Sequence, residues 1–252
     1  MATDKITIGW CHAGQVEGMF LDSVVGSFLF DANNKKHRLT GKGAGTISLR
    51  TGPRIAEARN QIVKIFLTSP EFKESRWLVM VDTDMTWSQW DVHNLVENAE
   101  THDFGLLGGL CFAGSDTDAS LYPTIYVIES NDDEGYPQFR KIYDYPKNMI
   151  LDCDATGAAF LAIRRDVLQH MGMPHPQGFG TDKKERPNPY PWFAEGIGGA
   201  RQFGEDIVFC HRARALGYRV GVHTGIQIGH VKRRVLDEEL YDRIRGLGDD
   251  NS

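Results

Sequence analysis

The sequence predicts an α/β fold built on a mixed, mostly parallel central sheet flanked by helices, with a small antiparallel hairpin. Three observations carry that expectation. Short apolar runs alternate with helix-patterned segments along the 252-residue chain. One run, Trp77–Val81, is uninterrupted, as a central strand covered on both faces should be. Two further segments, Thr124–Glu129 and Gln138–Tyr143, flank the polar turn Ser130–Gly135 and read as a hairpin that joins the sheet.

The remaining elements follow in order. Lys5–Cys11 reads as the first strand, Gly18–Phe30 as a helix and Thr46–Leu49 as the second strand. Pro53–Leu67 predicts a helix, with Thr51 as N-cap and Pro53 in the first turn, where a missing N–H costs nothing. Ser88 opens the next helix with Asp91 as its capping-box partner. Phe104–Phe112 and Phe160–Ile163 are strands, the latter leading through Arg164 and Arg165 into a short helix. Residues 172–200 then break every periodicity. Five of the ten prolines and six glycines fall in those 29 residues. So long an unpatterned stretch predicts an active-site loop, over about 172–203, with a passive surface insertion as the alternative. Glu205–Leu216 is a helix stopped by Gly217, and Arg219–His223 and Ile226–His230 are short strands. A C-terminal helix over about 235–247 would carry Leu236, Leu240, Ile244 and Leu247 at helical spacing. With no internal repeat and no linker, the expectation is a single domain over 1–252.

Composition narrows the function. Hydrophobic residues make up 41% of the chain, enough for a full core, which excludes a disordered protein. With 28 basic and 34 acidic side chains the net charge is −6, so bulk nucleic-acid binding is not expected. No window approaches 18 uncharged apolar residues, so no membrane span is expected, and Met-Ala-Thr-Asp-Lys-Ile lacks the apolar core of a signal peptide. Cys11, Cys111, Cys153 and Cys210 sit in apolar stretches, as reduced cysteines of a cytoplasmic protein would.

The chemistry-bearing residues are mostly acids. Asp-x-Asp occurs three times, and context separates the copies. Asp116/Asp118 lies in a polar loop, and Asp152/Asp154 follows only three apolar residues. Asp82-Thr83-Asp84 directly follows the Trp77–Val81 run, at a carboxyl strand end where open α/β sheets bind ligands. Acids at i and i+2 project to one side if the chain stays extended, and two hard oxygen donors there suit Mg²⁺ or Mn²⁺ carrying a substrate phosphate. Exposed loop acids are the alternative. Glu205 and Asp206 open a helix at the end of the unpatterned loop, as a general base at a pocket rim or as an ordinary N-terminal acid pair. His230 ends a short apolar strand, where a neutral imidazole could complete a metal shell or be structural. Arg59 points into the buried stripe of Ile55, Ala58, Ile62 and Phe66, so it needs an anion, either a structural aspartate or a nucleotide phosphate.

In this order the motifs resemble those of GT-A-fold glycosyltransferases, especially the family-2-like enzymes of bacteria and bacteriophages. The matching segments are Ile6–Trp10, Ile55–Asn60, Leu78–Met85, Gly157–Arg165, Pro191-Trp192-Phe193 and Phe203–Cys210, ending at Gly229-His230. Together they span roughly residues 5–232. The resemblance implies a sugar moved from a nucleotide-diphosphate donor, a UDP-sugar, to an acceptor hydroxyl, with inversion at the anomeric carbon as the expectation. It implies Asp82 and Asp84 as the DxD that holds Mn²⁺ or Mg²⁺ on the diphosphate, joined by His230. It implies Asp206 as the acceptor base with Glu205 beside it, and Arg59 and Asn60 on a helix flanking the nucleotide. Trp10 and His12 would also face the nucleotide, although His12-Ala13-Gly14 offers no acid for its base. Protein, glycan or modified DNA base are all possible acceptors, and a phage enzyme would work in host cytoplasm.

Other readings fit parts of the chain. Four apolar residues before Asp82-Thr83-Asp84-Met85-Thr86 also match the start of a haloacid-dehalogenase-like phosphatase, but several elements precede that strand here. The later motif of that family wants another acid, where Val208, Phe209 and Cys210 stand. A nucleotidyltransferase would carry a glycine-rich basic loop after Trp10, which is missing. A non-catalytic nucleotide-sugar-binding module is the remaining alternative.

Overall fold

The structure, a computed structural model, describes residues 4–114, 121–133, 135–174, 178–181, 184–196 and 203–232. The chain runs β1 (Lys5–His12), α1 (Gly18–Ala32), β2 (Gly45–Arg50), α2 (Ile55–Thr68), β3 (Ser75–Val81), β4 (Met85–Thr86) and α3 (Asp91–Thr101). It continues with β5 (Leu106–Leu110), β6 (Phe112–Ala113), β7 (Tyr122–Pro123), β8 (Ile125–Asn131), β9 (Pro137–Lys141), β10 (Ile150–Asp152) and β11 (Ala155–Thr156). Last come β12 (Phe160–Arg164), α4 (Arg165–Met171), α5 (Glu205–Ala215), β13 (Val220–Gln227) and β14 (Gly229–His230).

Seven strands form the central sheet in the order β10-β13-β5-β12-β3-β1-β2. β1 lies between β2 and β3 and is parallel to both, and β13 is parallel to β5. β12 runs antiparallel between β3 and β5, and β10 antiparallel along the edge of β13. The expected mixed, mostly parallel sheet is therefore present. Strand β3 shows why its sequence is apolar on every residue from Trp77 to Val81. Leu78 and Met80 point into one core with Ile62, Phe66 and Phe193, while Trp77, Val79 and Val81 point into a second core with Phe20 and Trp87. A strand covered on both sides has no position at which water is available to a polar side chain.

Several expectations shift in detail. α2 starts at Ile55, with Arg54 at the capping position, so neither Thr51 nor Pro53 caps or enters it. α3 starts at Asp91. Ser88 donates its N–H to Asp91 Oδ2 at 2.8 Å, which is the reach-back half of the expected capping box. The Phe104–Phe112 run contains two strands, β5 and β6, interrupted at Cys111. The hairpin β8–β9 does form, but it pairs with β11 in a separate three-stranded sheet instead of joining the central one. Arg219–His223 and Ile226–His230 are not two equal strands. β13 runs through to Gln227 with a register shift after His223, and only Gly229-His230 forms the second. Gly217 ends α5 as expected, at φ +87°, a conformation that L side chains resist. The expected 235–247 helix and Asp116/Asp118 lie outside the described residues.

Candidate active site

At the carboxyl ends of β1 and β3 the chain leaves a cleft of about 340 Å³, lined by Cys11, Gln15, Val16 and Glu17 on one side and Ile55, Asp82, Thr83 and Asp84 on the other. Two helices begin at this cleft, α1 just after Glu17 and α2 at Ile55, and neither has a side-chain cap on its first turn. Free N–H groups at a helix start favour anions, phosphates among them. Glu17 N–H donates to Thr83 O at 3.1 Å, which ties the start of α1 to the aspartate turn.

The two aspartates make different contacts. Met85 N–H donates to Asp82 O at 3.2 Å, closing a turn, so the extended-chain argument that aimed both acids one way does not hold. Asp82 turns inward. Its Oδ1 accepts from Arg59 Nη2 at 2.8 Å, and Arg59 Nη1 donates a short hydrogen bond to Glu205 Oε1. Arg59 is buried, which by itself would push its pKa down, but Asp82 and Glu205 outweigh burial and hold it above its ordinary value. The inward-facing arginine expected on α2 is thus paired with two carboxylates. It joins the end of β3 to the start of α5, reaching Glu205 from 146 residues away in sequence.

Asp84 turns the other way. Its Oδ2 lies 3.0 Å from His230 Nε2 and 3.9 Å from Lys232 Nζ. His230 Nδ1 lies 2.9 Å from Phe112 O, and because a carbonyl only accepts, Nδ1 carries the proton. In a neutral imidazole Nε2 then presents its lone pair toward the Asp84 carboxylate. An oxygen and a nitrogen donor converge there, a set that fits Mn²⁺. Strand pairing sets this geometry: Gly229 lies opposite Thr86 and His230 opposite Met85. A Cβ at Gly229 would come within 2.4 Å of Thr86 Oγ1, so glycine permits that approach. Among the described residues no three of His, Cys, Asp and Glu gather as a metal cluster, so Asp82, Asp84 and His230 do not form a closed triad.

Glu205 and Asp206 open α5, as expected. Burial raises both pKa values, Arg59 opposes the rise in each, and burial prevails. Asp206 Oδ1 accepts from Ile207 N–H at 2.8 Å. The acid pair is held beside the buried Arg59, which also binds Asp82 of the cleft lining, a workable setting for a general base.

No protein-family model and no curated protein matches the chain. Solved structures do. A197 from STIV matches over 91% of this chain and 86% of its own, with a TM-score of 0.55 and 14% identity. GalNAc-T7, a glycosyltransferase solved with UDP, GalNAc and Mn²⁺, matches over 92% of this chain and 44% of its own, with a TM-score of 0.53 and 12% identity. The fold is GT-A. At such identities the likeness is one of fold alone.

Within this GT-A fold the remaining expected residues take unlike places. Asn60 faces the long loop: its Nδ2 donates to Phe193 O at 2.6 Å and its Oδ1 accepts from Phe193 N–H at 3.2 Å, so both ends of the amide are spent on the loop backbone. Phe193 in turn stacks on Phe209 of α5 at 4.3 Å. Arg212 Nη1 lies within 3.3 Å of the carbonyls of Tyr190, Pro191 and Trp192. The Pro191-Trp192-Phe193 segment is therefore anchored, not a free insertion. Trp10 packs edge-on against Phe20 at 5.5 Å, and His12 accepts from Gly14 N–H at 3.0 Å through Nδ1. Neither lines the cleft, which takes Cys11 between them. Strand alternation explains the slip, since neighbours on β1 face opposite sides. Gln15, Val16 and Ile55 were missed; the position of their segments just beyond strand ends was the available signal.

Proposed function

We propose that the chain is a metal-dependent, inverting glycosyltransferase, acting as one domain over 1–252, that moves a sugar from a UDP-sugar to an acceptor hydroxyl. The observation that carries this reading is the cleft itself. In a GT-A fold, two uncapped helix starts and Asp82–Asp84 line it, while Arg59 couples Asp82 to Glu205 at the start of α5. The GalNAc-T7 structure, which holds UDP, GalNAc and Mn²⁺, supports the donor and metal assignments. The GT-A fold sets the phosphatase reading aside.

Asp84 and His230 are the residues that would hold the ion, with Asp82 at the same cleft. Bound there, a divalent cation would supply positive charge against that of a diphosphate leaving group. The start of α1 and the start of α2 offer N–H donors to the phosphates. Asp206, ionised, takes the proton from the attacking acceptor hydroxyl. Arg59 keeps Asp82 and Glu205 in place, and Asn60 keeps the Phe193 segment against α2. A loop held against the site limits the access of water and so the hydrolysis of donor.

The test separates binding from chemistry. Asp206→Asn keeps side-chain size and much of the capping capacity at the start of α5. Nucleotide affinity in Mn²⁺, read by calorimetry, should survive, while sugar transfer read by mass spectrometry should fall by roughly 10²–10⁴-fold. Transfer at the wild-type rate would remove Asp206 as base. Donor binding without turnover in the wild-type protein would favour the non-catalytic module.

A further inference from the structure

The separate sheet β11-β8-β9 packs against α5 through β11, and Tyr126 of β8 sits opposite Ala155 of β11. Tyr126 shares a hydrogen bond with Tyr122 of β7 and lies within electrostatic reach of both Asp206 and Tyr143. Lys141 Nζ stands 3.4 Å over the Tyr122 ring, covering one of its faces. Tyr143 is 61% exposed and Leu121 is 66% exposed. Tyr122, Tyr126 and Tyr143, from three segments outside the central sheet, thus gather within reach of the proposed base.

We propose that this tyrosine cluster is the acceptor subsite and that the acceptor is a neutral sugar, an inference that rests on the glycosyltransferase reading and specifies its second substrate. A pyranose ring has a face of C–H groups and a rim of hydroxyls. Tyrosine matches both, with an apolar ring for the face and a phenol for the rim. An open ring at Tyr143 and hydroxyls at Tyr122 and Tyr126 would seat such a ring with one hydroxyl directed at Asp206. Charge argues against a nucleic acid. Asp82 and Asp84 line the nucleotide cleft, Glu205 and Asp206 open α5, Asp82 and Glu205 already share Arg59, and the chain carries a net charge of −6.

The experiment uses the full chain with UDP and Mn²⁺ present, so that donor-side binding is read on the same samples by calorimetry. The probes are methyl glycosides of glucose, galactose, mannose and N-acetylglucosamine with their common disaccharides, a thymidine oligonucleotide, and a serine-containing peptide. Saturation-transfer NMR should show sugar C–H protons receiving magnetisation from the protein. Tyr143→Ala, at an exposed position, should weaken sugar binding by roughly fivefold, the scale of losing one aromatic contact. Tyr126→Phe keeps the ring, removes the hydroxyl and should cost less. UDP affinity should be unchanged in both variants. If UDP binds but no glycoside does, or if glycosides bind wild type and Tyr143→Ala equally, the acceptor proposal is overturned while the donor reading stands. Binding of the oligonucleotide or peptide that depends on Tyr143 would overturn it as well. Failure of UDP to bind the wild-type protein would instead strike the glycosyltransferase reading.

Discussion

The two ends of the Asp82–Asp84 turn differ in what surrounds them. At the Asp82 end, a buried guanidinium bridges two carboxylates, one just after β3 and one at the start of α5, with Asp206 also within its electrostatic reach. At the Asp84 end, a half-exposed carboxylate meets one imidazole and the edge of a lysine. Breaking the first leaves a buried charge uncompensated, whereas breaking the second leaves groups that water can reach. Two acids in one three-residue motif therefore sit in separable surroundings. Asp82 holds the halves of the site together, and Asp84 offers open ligand atoms.

The sharpest way to break that contrast is at Arg59. Arg59→Met removes the bridge and leaves Asp82 and Glu205 facing each other. Removing one partner of a buried pair costs about 3–5 kcal/mol, and since Asp82 is a third open to solvent the lower end applies. The melting temperature should fall by roughly 6–12 °C, with donor binding lost alongside. Arg59→Lys should fall between, because lysine keeps the charge but cannot donate to both acids in the same planar fork. If Arg59→Met melts like wild type, the Asp82 end is no more structural than the Asp84 end.

Next comes Asp84→Asn. Little stability should change, since the side chain is exposed by more than a third, while Mn²⁺-dependent nucleotide affinity should fall by more than ~100-fold. Asp82→Asn should show the mixed result, with some loss of both. Equal affinity losses in the two variants, with equal melting points, would erase the distinction. His230→Ala sharpens it further. As one ligand among several, its loss should weaken Mn²⁺-dependent binding by about tenfold and leave nucleotide binding without metal alone. An unaltered metal dependence would return His230 to the role of pinning β14 against β4.

The sequence made some of this visible and hid the rest for definite reasons. Arg59 was legible as an inward charge because helical spacing alone shows which face it shares with Ile62 and Phe66. Its second partner was not, because Glu205 lies 146 residues away and only the fold brings them together. Asn60 and Phe193 are hidden by the same kind of gap, 133 residues. The split of the aspartate pair was illegible because it depends on a turn, Met85 N–H to Asp82 O, that leaves no periodic trace. β1, β3 and β12 were readable as apolar runs, but β4, β11 and β14 have two residues each and β10 three, too short to carry alternation. The hairpin was legible as a hairpin. Its partner strand was not, because β11 contributes only Ala155 and Thr156 to the pairing.

The smallest effect expected is on pH dependence, and it probes the coupling between the two ends. Burial, opposed by Arg59, raises the pKa of Asp206 and of Glu205 above the ordinary carboxylate range. A raised acid is protonated at higher pH than usual, so a base must lose activity there earlier as the pH falls. The acid limb of the transfer rate should therefore lie above pH 4, the neighbourhood of an unperturbed aspartate at about 3.9. Ionised acids with raised values also cost the fold stability, a cost full above their folded pKa that shrinks as the pH falls and is gone below the unfolded value. Mild acid should thus reduce transfer while this pair contributes a rise, not a fall, in melting temperature. Replacing Arg59 with lysine weakens the opposing cation, so the acid limb should move upward again. A limb at or below pH 4 in the wild type, or one that stays in place in Arg59→Lys, would separate Asp206 from the arginine that the structure sets beside it.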